Sequence, residues 1–154
     1  MVNIEQLIAD FCLVATKAGV SIPKNMIESE VLERPHVPPN SLPSGKMAVY
    51  VFYWEDRCLK VGKVGPKSSA RYTSQHYNPW SSNSNLAASI LKNRDDLGLP
   101  NMTDENIGAW IKQQTTRLNF LLPAELGMPV LSLLEAFLQC RLRPEFEGFE
   151  SQKG

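Results

Sequence analysis

The stretch Met47–Gly65, MAVYVFYWEDRCLKVGKVG, constrains the fold more tightly than any other part of the chain. Two apolar runs rich in β-branched and aromatic residues flank the polar break Trp54-Glu55-Asp56-Arg57, and Gly62 and Gly65 close the second run. This pattern predicts a β-hairpin. In its first strand, alternation sets Val49, Val51 and Tyr53 on one face and Tyr50, Phe52 and Trp54 on the other. Both sets are apolar or aromatic, so the strand is covered on both sides or turns one side to a site. Just after the hairpin begins a set of cations, phenols and an imidazole, Lys63, Lys67, Arg71, Tyr72, His76 and Tyr77, a mixture suited to phosphate chemistry.

On either side of the hairpin the chain reads as helices, loops and one more strand. Ile4, Leu7, Ile8, Phe11, Cys12 and Ala15 recur at three- and four-residue spacings, which predicts an amphipathic helix over Val2–Ala18 that Gly19 ends. Ser21–Ser44 holds five prolines and little periodicity. It reads as an extended connector with room for a short turn at Asn25–Leu32. Pro66 prepares a helix over Lys67–Gln75, on which Lys67, Arg71 and Gln75 would share a face. A polar loop carrying Trp80 follows, then helices over Leu86–Asn93 and Asp104–Gln113 and a strand over Thr115–Leu122. The last helix starts near Pro129 and carries Glu135 at the margin of its apolar stripe.

A chain of 154 residues, 43% hydrophobic and 21% charged, has the composition of one ordinary globular domain with a real core. It lacks an apolar run of membrane-spanning length and a signal-peptide pattern, and its three widely spaced cysteines, Cys12, Cys58 and Cys140, argue against a disulfide framework or a zinc site. A reducing cytoplasm is the expected home. Net charge is zero, yet Lys46 to Arg94 holds eight cations against two anions. A positive segment within a neutral chain is what a phosphate-binding face looks like, although a solvated surface with its acids nearby in space would show the same count.

Ala48-Val49-Tyr50 followed by Lys60-Val61-Gly62 resembles the paired tripeptides of the GIY-YIG nucleases, and Arg71, His76 and the helical Glu135 follow in the family's order. The resemblance spans roughly Met47 to Phe149. Lys60 stands where the family usually has tyrosine, and Glu147 follows Pro144-Glu145-Phe146 where the family often has asparagine. The resemblance implies a mixed α/β (α+β) fold, a small three-stranded antiparallel sheet flanked by helices, over residues 46–150. Residues 1–45, the helix and connector, fall outside it. It implies a metal-dependent endonuclease that hydrolyses nucleic-acid phosphodiester bonds, with DNA the expected substrate and Glu135 the ligand to one Mg²⁺ or Mn²⁺. Tyr50, Lys60, Arg71, His76 and Glu135 would carry the chemistry, and Gly62, Lys63, Lys67 and Trp80 would contact nucleic acid. Glu145 or Glu147 could supply a further metal contact.

Taken without the family, the same residues have plainer readings. Tyr50 is a packed sheet aromatic, Arg71 a surface arginine, His76 a structural histidine and Glu135 one half of a salt bridge. Two other functions therefore stay open on this fold. One is a nucleic-acid-binding module without catalysis; the other is an interaction domain that meets a protein partner or a second copy of itself through the N-terminal helix and the aromatic hairpin.

Overall fold

The computed structural model describes residues 2–82 and 84–146. Glu147 and Phe149, at the end of the family resemblance, lie outside them. In chain order the elements are α1 (Ile4–Lys17), β1 (Glu28–Leu32), β2 (Lys46–Trp54), β3 (Arg57–Val64), α2 (Ser69–Thr73), α3 (Leu86–Lys92), α4 (Ile107–Gln114), β4 (Thr115–Pro123) and α5 (Met128–Leu142). The strands form a single antiparallel sheet in the order β1-β4-β2-β3, so β2 lies in its interior.

The hairpin closes through Glu55 and Asp56, with Glu55 at φ 54°, and β3 carries a bulge opposite Phe52 and Tyr53. Both faces of β2 are covered. Val49, Val51 and Tyr53 join a core built with α1 and α5, while Tyr50 and Phe52 join a second core built with α2, α3 and α4. The molecule is thus a sheet between two helical layers. Cys12, Cys58 and Cys140 are all free, and no helix among the described residues is long and apolar enough to cross a membrane.

The sheet has four strands where three were expected. The additional strand, β1, lies in the segment read as an extended connector, and it is an edge strand whose residues are mostly exposed. Its backbone pairs with β4 from Glu28 opposite Leu121 to Leu32 opposite Arg117. Such a strand buries no apolar face of its own, so Glu-Ser-Glu-Val-Leu lacks the alternation by which strands are found. Helix α1 packs on α5, with the rings of Phe11 and Phe137 5.8 Å apart and an Asp10–Arg141 ion pair beside them. Asn3 caps α1 by accepting the Gln6 N–H at 3.0 Å.

The helix after the hairpin is shorter than its sequence suggests. Gly65 to Ser68 forms a turn, with the Ser68 N–H on the Gly65 carbonyl, and α2 starts only at Ser69. Lys67 therefore precedes the helix, and its expected alignment with Arg71 on one helical face does not occur. Gln75 lies beyond α2, in a single 3₁₀ turn with His76 and Tyr77. Asp104 and Glu105 likewise precede α4 instead of filling its first turn.

His36 ties the loop after β1 to the sheet. Its buried ring donates from Nδ1 to the Thr115 carbonyl at 2.8 Å and accepts at Nε2 from the Tyr77 hydroxyl at 2.9 Å. Burial, with the charges of Arg117 and Lys112, holds His36 below its ordinary pKa of 6.5, against the pull of the Thr115 bond. Burial first, then nearby cations, holds His76 well below it too. The unfolded chain therefore binds protons more readily than the folded one. Stability is full above pH 6.5 and shrinks as pH falls from there toward the folded-state values. Chemical denaturation should give a lower midpoint at pH 5 than at pH 7.5, and His36→Gln should lower stability at pH 7.5 while flattening that dependence; an unaltered slope would clear His36 as a source.

Candidate active site

Two neighbouring cross-strand rows place the site on the face of the sheet that α2, α3 and α4 cover. In one row Tyr50 lies between Gly62 of β3 and Asn119 of β4, with Glu30 of β1 beyond. In the next, Phe52 lies between Lys60 and Arg117. Antiparallel register sets partners on a common face, so Tyr50, Lys60 and Arg117 converge although far apart in sequence.

Gly62 makes room for the phenol. A Cβ at this position would stand 2.2 Å from the Tyr50 hydroxyl oxygen, so the ring lies directly across the glycine. Tyr50 is fully buried, and its hydroxyl accepts a hydrogen bond from Nε of Arg71 at 3.1 Å. Burial raises the phenol's pKa, opposed by the charges of Arg71 and Arg117, so its proton stays on and is free to be donated.

His76 packs its ring 4.4 Å from that of Tyr50 and is 1% exposed. The Leu86 N–H donates to its Nδ1 at 3.2 Å, which puts the ring proton on Nε2. That Nε2 has no partner among the described residues. His76 is therefore a neutral donor toward the cluster, and the nitrogen that could take a proton is occupied by a helix N-terminus. Lys60 is 2% exposed, and burial followed by the charge of Arg71 lowers its pKa to about 8, with Glu135 pulling the other way.

Glu135 comes from the opposite side. Helix α5 covers the other face of the sheet, and Glu135 pairs with Lys63 of β3, Oε2 to Nζ, at 2.6 Å. Its negative charge favours the protonated forms of Lys60 and Tyr50. The main chain of Glu145 and Phe146 caps part of the edge of β3, bonding the carbonyls of Cys58 and Leu59. Glu145 itself pairs with Arg57 at 3.0 Å beside the hairpin turn.

Among the described residues no three His, Cys, Asp or Glu side chains cluster as a metal site would need. A single carboxylate remains compatible with a hard divalent ion that draws its other ligands from phosphate and water. Glu135 Oε2 is already paired with the Lys63 ammonium, so an ion bound there would have to displace the lysine.

The structure brings Tyr50, Gly62, Arg71 and His76 into contact with Lys60 in the next row, while Lys63 and Glu135 form a pair of their own on the α5 side of the sheet. Lys67 and Trp80 stand outside both groups, both exposed, Trp80 at 79% on a loop pinned by the Ser81 hydroxyl and the Asn85 amide. Sequence reading passed over Arg117, fully buried, with its guanidinium 5.0 to 5.6 Å from the ring centres of Tyr72, Phe52 and Tyr50. The only signal was a charged residue within a strand, among Thr115, Thr116 and Asn119. Comparison with protein-family models, curated proteins and solved structures finds no match.

Gly62→Ala should push the Tyr50 ring out of place, because the atoms it meets belong to a rigid, buried phenol. The expected loss is about 1–3 kcal/mol of stability, read as a lowered denaturation midpoint; a midpoint equal to that of the parent protein would show that the ring can yield.

Proposed function

We propose that the chain is a metal-dependent endonuclease of the GIY-YIG type that hydrolyses nucleic-acid phosphodiester bonds, with DNA as substrate. The observation that carries this reading is the Arg71–Tyr50 hydrogen bond inside a cluster that also holds Lys60, His76 and the charge of Glu135. Arg71 and Lys63 are only partly buried and can reach an incoming phosphate. Arg71 can then exchange the Tyr50 hydroxyl for nonbridging oxygens, which its planar fork holds in two directions. The freed hydroxyl and the Nε2–H of His76 become donors that orient water or a phosphate oxygen, and the Lys60 ammonium offsets charge growing at phosphorus.

Glu135 would hold the Mg²⁺ or Mn²⁺, once Lys63 leaves it for the phosphate. When bound, the ion polarises the scissile phosphate and stabilises the leaving oxygen. The exposed Trp80 and Lys67 flank the grip on either side in sequence, and an indole on a pinned loop suits stacking on a base.

A binding module without catalysis is the competing reading, favoured by the complete burial of Tyr50. It calls for salt-sensitive nucleic-acid binding with no cleavage under either metal.

Glu135→Ala should reduce Mg²⁺-dependent nicking of supercoiled plasmid by about 10²-fold or more while leaving the thermal midpoint nearly unchanged, since its partner is a half-exposed lysine. Full activity in that variant would overturn the nuclease. Lys63→Met should tighten Mn²⁺ binding to the nucleic-acid-free protein in calorimetric titration; equal binding would mean that the lysine does not compete for the carboxylate.

A further inference from the structure

Arg117 is fully buried in the middle of β4, yet no carboxylate bonds to it among the described residues. A buried guanidinium is costly to desolvate, and an apolar side chain of similar volume packs more cheaply. What the arginine does with its donors is therefore informative. Nη2 donates to the Tyr72 carbonyl at 2.7 Å, Nη1 to the Tyr77 hydroxyl at 3.2 Å and Nε to the Asn119 amide oxygen at 2.8 Å.

The first of these bonds bears on the site. Tyr72 follows Arg71 in α2, a helix of five residues, too short to be stable alone. Its carbonyl lies in the last turn, where helices leave acceptors unpaired. Arg117 supplies the missing donor and fastens the α2 backbone to the sheet one residue from Arg71. The other two bonds lead to the N-terminal segment. Asn119 donates to Glu30 at 3.1 Å, and Tyr77 donates to His36 at 2.9 Å.

We propose that Arg117 is a positioning residue, which holds the Arg71 guanidinium at the Tyr50 hydroxyl by anchoring α2, and that Glu30 and His36 keep Arg117 in place. This rests on the nuclease reading for its kinetic consequence only. It gives residues 28–36 a task in the site: they brace the arginine from the far side of β4. The charge of Arg117 also contributes to keeping His76 neutral, together with burial and the charges of Lys60 and Arg71.

The test is a double-mutant cycle on the full chain, with Arg117→Lys, Arg71→Ala and the pair, followed by cleavage of a labelled oligonucleotide. Arg117→Lys should lower kcat by about 10- to 100-fold with little change in KM, and should add less than about threefold in the Arg71→Ala background. Multiplicative effects would overturn the proposal, because a purely structural residue acts independently of Arg71. Tyr77→Phe, which removes one acceptor and leaves the arginine, should show the same dependence at smaller amplitude, and it serves if Arg117→Lys does not fold. In parallel, the Arg71 Nε–H should give a slowly exchanging NMR signal in the parent protein that Arg117→Lys or Tyr77→Phe weakens. Its persistence in both variants overturns the anchoring. A parent protein that cleaves nothing ends the nuclease reading alone, since the NMR signal still decides whether Arg117 positions Arg71.

Discussion

The close approach of the Tyr50 hydroxyl to Gly62 is the contact on which the rest of the site depends. Antiparallel pairing places these two residues side by side on one face, and only a residue without a side chain lets the ring lie across its neighbour. With the phenol in that position, Arg71 finds its acceptor and His76 finds a ring to pack against, and Lys60 lies buried in the next row. The interior place of β2 fixes the geometry further, because a strand held on both edges cannot slip register without moving every side chain to the opposite face. The site therefore inherits its precision from backbone pairing, and the short helix α2 is the component that needs outside support.

Much of this was legible in the sequence, for reasons that differ by element. The hairpin was plain because β2 is buried on both faces and reads as a continuous run of β-forming residues. The strand over Thr115–Leu122 and the last helix were found within a residue or two for the same reason, since burial leaves a strong apolar record. β1 was missed because an exposed edge strand is specified by its partner's backbone and not by its own side chains. The length of α2 was overestimated because a turn from Gly65 to Ser68 consumes the residues that looked helical. Tyr50, Arg71, His76 and Glu135 were singled out through the family resemblance, by their order along the chain, and that route could not reach His36 and Arg117. Their roles come from long-range bonds to Thr115, Tyr77 and Tyr72, which no local spacing encodes.

The two histidines illustrate how environment decides chemistry for one residue type. An unperturbed imidazole titrates near neutrality and suggests proton transfer. In this fold each ring nitrogen that could accept is already committed, Nδ1 of His76 to the Leu86 N–H and Nε2 of His36 to the Tyr77 hydroxyl. Both rings are buried beside cations, so both stay neutral, and His76 is left with a single unpaired donor. Within the nuclease reading, that shifts the work of handling the water's proton away from His76 and toward groups at the cluster's outer edge.

The charges of the cluster do not balance within the cluster. Lys60, Arg71 and Arg117 lie on the α2 side of the sheet, where Glu30 reaches Arg117 only through Asn119 and Glu135, whose field acts on Lys60 and Tyr50, is already paired with Lys63. Burial first, and then the neighbouring Arg71, bring the pKa of Lys60 down to about 8. Such an arrangement is poorly relieved by water, because Lys60 and Arg117 are shut away from it. An anion at the partly open side would be drawn to Arg71 and Lys63, release Glu135 and lessen the repulsion among the cations in one event. Anything that binds the folded state alone also stabilises it. The imbalance thus couples anion binding to the stability of the fold: the positive charge that packing holds in the free protein would be offset by an anion bound at that side.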